Sequence, residues 1–224
     1  PTIKIESNDF VKNDVNDNIS ISDILLVFSQ QIKLILLRFL HANIMKIGDP
    51  LFDFKLPATN GNSYTKYHYA DRYALLIIVS CNHCPYSRAY WNRIVQLYNR
   101  YYEDNLGIMV INGNDANRYP DDSFENMKKY KNELKFPFIY LHDEKQEVIR
   151  QLGAMRTPEV FLFNSKRDLV YKGAIDDSWD NENAVTRVYL EDAIEYTLDG
   201  MDIDFPEIPA VGCSVKWLPG NEPA

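Results

Sequence analysis

The stretch Ala74-Leu75-Leu76-Ile77-Ile78-Val79-Ser80-Cys81-Asn82-His83-Cys84-Pro85-Tyr86 decides the fold. Its apolar, β-branched opening is bounded and short, which suits a buried strand. Pro85 fits the first turn of a helix, where a missing N–H costs nothing, and Tyr90, Ile94, Leu97 and Tyr101 follow at helical spacing. Two thiols therefore fall where a strand ends and a helix begins. The positive end of a helix favours a thiolate, the form that attacks disulfides and peroxides, so the residues point to redox chemistry.

A Cys-x-x-Cys spacing also serves structural zinc, but a zinc knuckle needs a second ligand pair. Cys213, His41, His68 and His142 are not spaced as one, so no metal is expected. At a helix start the first cysteine usually lies exposed and the second deeper. Cys81 is then the expected nucleophile and Cys84 its resolving partner. His83 is a candidate cation that stabilises the reduced pair, the alternative being a side chain turned to water.

The composition limits the rest. With 224 residues and 46% hydrophobic content the chain can bury a full core, and the length suits one domain with appendages. A formal charge of -8 argues against nucleic acid as a partner. Three cysteines are too few for a disulfide scaffold, and a reducing cytosolic setting is the simpler fit. No Gly-x-Gly-x-x-Gly fingerprint occurs, so no dinucleotide cofactor is expected and electrons would come from an external thiol donor protein such as a thioredoxin.

Working outward, residues 1–44 divide into a polar arm and an apolar helix expected from Ser20 or Ser22 to about His41. In that helix Ile21, Leu25, Phe28, Ile32, Ile35 and Phe39 form a seam for a partner helix, most simply in a homodimer. Asp23, Lys33 and Arg38 make it a poor membrane span. From residue 45 to 200 strands and helices alternate. Strands are expected at Phe52–Leu56, Leu106–Ile111, Phe136–Leu141, Val160–Phe163 and Leu169–Lys172. Helices are expected at Ser123–Leu134, Glu144–Leu152 and Ala184–Leu198, with Gly153 as a C-cap. This order implies an α/β fold with a central mixed sheet, parallel in its first half and antiparallel at its end, flanked by helices. Residues 201–224 form a Pro-rich extended tail carrying Cys213.

Pro158, in Met155-Arg156-Thr157-Pro158, directly precedes a strand, where a missing N–H is normally disqualifying. A cis Thr157–Pro158 bond accounts for it and leaves a backbone edge free for a peptide substrate; an ordinary trans proline is the alternative. Asp176 and Asp177 are read as turn residues rather than proton acceptors, and Asn112, Asn114 and Asp115 end a strand on the dithiol side.

Together Cys81-Asn82-His83-Cys84-Pro85-Tyr86, Ile111-Asn112-Gly113-Asn114-Asp115, Tyr119-Pro120, Gly173-Ala174-Ile175-Asp176-Asp177 and Gly212-Cys213-Ser214-Val215-Lys216-Trp217 resemble the thioredoxin superfamily. More narrowly they resemble the peroxiredoxin-like branch of the alkyl hydroperoxide reductase and thiol-specific antioxidant family. The resemblance implies a thioredoxin-like fold, a cis Pro158, and thiol–disulfide or hydroperoxide reductase activity. It also implies that Cys84 corresponds to the peroxide-attacking thiol. Two departures shift the expected chemistry toward disulfide exchange. Cys81 stands where threonine is usual, and Pro158, with Arg156 two residues earlier, stands where an arginine usually covers the thiolate. Cys213 is expected to anchor the tail as a small apolar residue; the alternative is a third thiol that resolves Cys84 or Cys81.

Overall fold

The computed structural model describes residues 44–222. The apolar helix and the dimer seam expected before residue 44 lie outside them.

The apolar run after Tyr73 forms β3 (Ala74–Val79), preceded by a small hairpin of β1 (Lys55–Pro57) and β2 (Ser63–Thr65) around Asn60-Gly61. Then come α1 (Pro85–Tyr101), β4 (Leu106–Asn112), α2 (Phe124–Leu134), β5 (Ile139–His142), α3 (Glu147–Leu152) and β6 (Arg156–Thr157). The chain closes with β7 (Glu159–Phe163), β8 (Leu169–Gly173), α4 (Tyr189–Leu198), β9 (Glu207–Ile208) and β10 (Cys213–Ser214). Six strands make one sheet in the order β5-β4-β3-β7-β8-β9. β3, β4 and β5 run parallel, β7 runs antiparallel to both β3 and β8, and β9 runs parallel to β8. This is the mixed α/β sheet that the alternation of elements called for.

β3 is buried on both faces, as parallel strands covered by helices must be. Its side chains alternate. Ala74, Leu76 and Ile78 pack with Trp91 and Ile94 of α1 and Leu190 and Ile194 of α4. Leu75, Ile77 and Val79 pack on the other face with Leu51, Phe54, Val148, Ile149 and Leu152. α3 starts at Glu147 rather than Glu144, and Gly153 ends it in the left-handed conformation that a side chain would oppose (φ 79°). α4 begins only at Tyr189, because residues 182–184 form a separate short turn.

Residues 201–222 do more than trail. β9 extends the main sheet, and Gly173 admits it: a Cβ there would fall 1.7 Å from the Ile208 carbonyl oxygen. β10 pairs antiparallel with β6, Cys213 opposite Thr157 and Ser214 opposite Arg156. Among the described residues no helix is long and apolar enough to cross a membrane.

Candidate active site: a dithiol under a C-terminal clasp

Topology brings the site together at the carboxyl end of β3. Because β7 is antiparallel, its start returns to that end, with Glu159 opposite Val79, and the preceding Thr157-Pro158 lies against the residues that follow β3. The Thr157–Pro158 bond is cis. Thr157 meets both sulphurs: its carbonyl oxygen lies 3.1 Å from Cys84 Sγ and its Oγ1 lies 3.5 Å from Cys81 Sγ.

The two cysteines do not take the places expected of them. Helix α1 begins at Pro85, so its N-cap is Cys84, and Cys81 sits three residues upstream in the buried loop that leaves β3. Neither is exposed, which corrects the expectation of an exposed Cys81 ahead of a deeper Cys84. Their electrostatics differ in the same sense. The Cys81 thiol donates toward Cys84 and holds its pKa well below the ordinary thiol range, against the opposing effect of burial. The Cys213 thiol, the Ser87 N–H and the Thr157 hydroxyl add to the lowering. The Ser87 N–H does so without reaching the geometry of a capping hydrogen bond. Cys81 is pushed far up by the Cys84 thiolate, by burial and by the Asp122 carboxylate. Both effects act in the direction that favours the charge on Cys84 and the proton on Cys81 in the reduced pair.

The loop between the thiols hangs on Asp122, a fully buried carboxylate in the short turn before α2. Its Oδ1 accepts from the backbone N–H of Asn82 (2.7 Å), that of His83 (3.3 Å) and Asn112 Nδ2 (3.4 Å). Its Oδ2 accepts from His83 Nδ1 (2.5 Å) and Asn114 Nδ2 (2.8 Å). Asn82 is held from its side chain too, donating to the Asp121 carbonyl (2.8 Å) and accepting from Tyr140 Oη (2.8 Å). His83 lies flat on Tyr119, ring centroids 5.1 Å apart. Its hydrogen bond goes to Asp122 rather than to a thiol.

Cys81, His83 and Asp122 each offer a donor atom within 4.8 Å of the others, a trio that could in principle take a metal ion. Both oxygens of Asp122 are already occupied by five N–H donors, however, and a carboxylate so engaged orients the loop rather than offering lone pairs to a cation.

The C-terminal segment closes over this end of the sheet. Val215 N–H donates to the Met155 carbonyl (3.1 Å), Lys216 N–H to Asn114 Oδ1 (2.9 Å) and Leu218 N–H to Gln146 Oε1 (2.7 Å). Asp115 N–H and Gln146 Nε2 both donate to the Lys216 carbonyl. Gly212 passes so close that a Cβ would stand 2.3 Å from the Thr157 oxygen. Val215 is buried by this clasp, while Cys213 stays half-buried.

Of the residues singled out in the sequence, the structure gathers Cys81, Cys84, Thr157, Pro158 and Cys213, and sets His83 beside them. Arg156 it does not gather: the side chain is exposed, and the backbone N–H donates to Glu159. Asp176 holds Arg93 (2.6 Å) and Tyr90 (2.7 Å), and Asp177 accepts from Thr186 and Arg187, the structural roles expected of both. Asp122, Asn82, Tyr140 and Ser87 escaped the sequence reading. Asp122 carries no motif signal, since an acidic residue before a helix is ordinarily read as helix-end chemistry.

A buried dithiol at a strand-to-helix junction, facing a cis-proline turn on a mixed β5-β4-β3-β7-β8 sheet, defines a thioredoxin-like redox protein. The sequence model of the AhpC/TSA family matches residues 47–172, and the chain belongs to that family, in the peroxiredoxin-like branch of the thioredoxin superfamily. An uncharacterized conserved protein of Geobacillus kaustophilus is 36% identical, with TM-score 0.74, covering 80% of this chain and 95% of that one. A hypothetical protein of Sinorhizobium meliloti is 32% identical, with TM-score 0.74, covering 80% and 98%. The peroxidoxin BcpB of Mycobacterium tuberculosis, at 17% identity and TM-score 0.55 over 71% of this chain and 99% of that one, shares the fold. No curated protein sequence matches.

Proposed function

We propose that the protein is a thiol–disulfide oxidoreductase in which Cys84 is the nucleophile and Cys81 the resolving thiol. The observation that carries this reading is the asymmetry of the pair: Cys84 caps α1 with its thiolate favoured, and Cys81 keeps the proton beside Asp122. A thiolate at Cys84 attacks one sulphur of a substrate disulfide, expelling the other as thiolate and leaving a mixed disulfide. Cys81 then gives up its proton to the departing thiolate and attacks Cys84 Sγ. The Cys84–substrate bond breaks, the substrate leaves with both sulphurs reduced, and Cys81–Cys84 is oxidised by two electrons. Thr157, touching both sulphurs, keeps them facing each other through the exchange. An external thiol donor, such as a thioredoxin, returns the electrons.

Small hydroperoxides are the second substrate class, favoured by the burial of Cys84, which a small molecule reaches more easily than a protein loop does. The leading groups that lower the Cys84 pKa are thiols, an amide and a hydroxyl, and Arg156 is exposed, so among the described residues no guanidinium is among the leading groups that favour the thiolate. That favours disulfide exchange. Of the remaining alternatives, a metal-binding module is opposed by the saturated Asp122, and a redox sensor without turnover is separated by the assays that follow. Insulin reduction and thioredoxin-coupled peroxide consumption, run on wild type, Cys81→Ser and Cys84→Ser, test the proposal. Turnover lost in Cys84→Ser is expected. No turnover by wild type in either assay, with stoichiometric zinc bound, overturns it.

A further inference from the structure

The edge of Thr157, where a peptide substrate would pair, is already taken by the chain itself. Gly212-Cys213-Ser214 lies along it as an antiparallel strand, with Cys213 directly opposite Thr157. Directly opposed residues bring their side chains together, and Thr157 is the residue whose carbonyl stands 3.1 Å from Cys84 Sγ. The clasp thus holds a cysteine as a bound substrate would present one. We propose that Cys213 is a third redox thiol, which closes a disulfide on Cys84 and offers its own sulphur, in place of the buried pair, to an external thiol donor. This rests on the oxidoreductase reading above and adds the route by which electrons enter.

Access makes the case. Cys81 and Cys84 have no exposed surface, whereas Cys213 is half-buried, so a protein donor reaches Cys213 more readily than a Cys81–Cys84 bridge. Proximity agrees: the Cys213 thiol is among the groups that hold Cys84 as thiolate, and burial together with that thiolate raises the pKa of Cys213. The clasp is also fixed in place. Gly212 leaves no room for a side chain, and the hydrogen bonds of Val215 and Lys216 set the register of the strand.

The steps balance. Starting from oxidised Cys81–Cys84, Cys213 attacks Cys84 Sγ; the Cys81–Cys84 bond breaks, and Cys81 takes up the proton that Cys213 releases. No electrons are gained or lost in this exchange. A donor thiolate then attacks the accessible Cys213 Sγ, and Cys84 departs as a thiolate, the better leaving group of the two because its pKa is the lower. A second donor thiol attacks the donor–Cys213 bond, which leaves Cys213 reduced and the donor oxidised to its disulfide. Two electrons pass from donor to protein.

Full-length wild type and Cys81→Ser are oxidised with one equivalent of hydrogen peroxide, alkylated, digested without reduction and mapped by mass spectrometry. A Cys84–Cys213 bridge dominant in Cys81→Ser and detectable in wild type is expected. Cys213 fully alkylated in both overturns the proposal. As a second measurement, Cys213→Ser, once oxidised to the Cys81–Cys84 bridge, should be re-reduced by reduced thioredoxin at least tenfold more slowly than oxidised wild type. Equal re-reduction rates overturn the proposal, because a merely anchoring Cys213 tolerates serine. If wild type turns over in neither insulin nor peroxide assays, the oxidoreductase reading fails while the bridge map still decides the role of Cys213.

Discussion

Replacing Asp122 should loosen the dithiol loop by an amount that can be worked from its contacts. Three donors approach it closely: Asn82 N–H at 2.7 Å, Asn114 Nδ2 at 2.8 Å and His83 Nδ1 at 2.5 Å. In Asp122→Ala all three lose their acceptor. The His83 side chain is 21% exposed and can turn to water at small cost, whereas Asn82 N–H and Asn114 Nδ2 are buried. A buried donor left unpaired costs about 1–3 kcal/mol, so the two together imply a loss of about 2–4 kcal/mol after partial relaxation. Asp122→Asn is milder. Its remaining carbonyl can still accept from Asn82, but its amide group meets Asn114 Nδ2 donor to donor. Asn114 cannot turn over in response, because its Oδ1 already accepts from Lys216 N–H (2.9 Å). One lost hydrogen bond predicts about 1–2 kcal/mol. Urea titration of the reduced protein with linear extrapolation measures both, and the slope should not change, since one substitution barely alters the surface exposed on unfolding. An Asp122→Ala protein within about 0.5 kcal/mol of wild type, the range of ordinary surface substitutions, refutes the claim that this carboxylate holds the loop.

Two further predictions concern the thiols and the clasp. The folded pKa of Cys84 lies below its unfolded value, so its thiolate contributes stability that is full above the unfolded thiol pKa of about 8.5 and fades as pH falls toward the folded pKa. The stability of reduced wild type relative to Cys84→Ser should therefore rise from pH 5 to pH 8, and a flat difference by urea titration contradicts it. Gly212→Ala places a Cβ 2.3 Å from the Thr157 oxygen, a backbone atom that cannot move aside cheaply. It should cost about 1–3 kcal/mol and speed alkylation of Cys213 by releasing β10; unchanged alkylation kinetics would show that the pairing is not what shields this thiol.

The order of elements was legible because β3 and β4 are long apolar runs and Pro85 marks where α1 begins. The cis turn at Thr157-Pro158 was legible only with the family resemblance, since a proline at a strand start is ordinarily trans. The relative depth of the thiols was not. The general habit of helix-start cysteines puts the first one outside, but Pro85 places Cys84 itself at the cap and leaves Cys81 behind it in the buried loop. Nor could sequence reveal Asp122, whose contact with Asn82 spans 40 positions and follows no period. β6, β9 and β10, at two residues each, are too short for alternation to show, so the tail read as an appendage when it is a clasp.

Everything proposed for the site depends on which sulphur is charged, and thiolate absorbance at 240 nm reads that directly. Reduced wild type titrated downward from pH 8 should keep close to one thiolate at pH 6, where an ordinary thiol has none. Cys81→Ser should retain most of that absorbance, since a serine hydroxyl can still donate to Cys84, and Cys84→Ser should lose it. Absorbance that survives in Cys84→Ser and vanishes in Cys81→Ser would assign the charge to Cys81 and contradict the account.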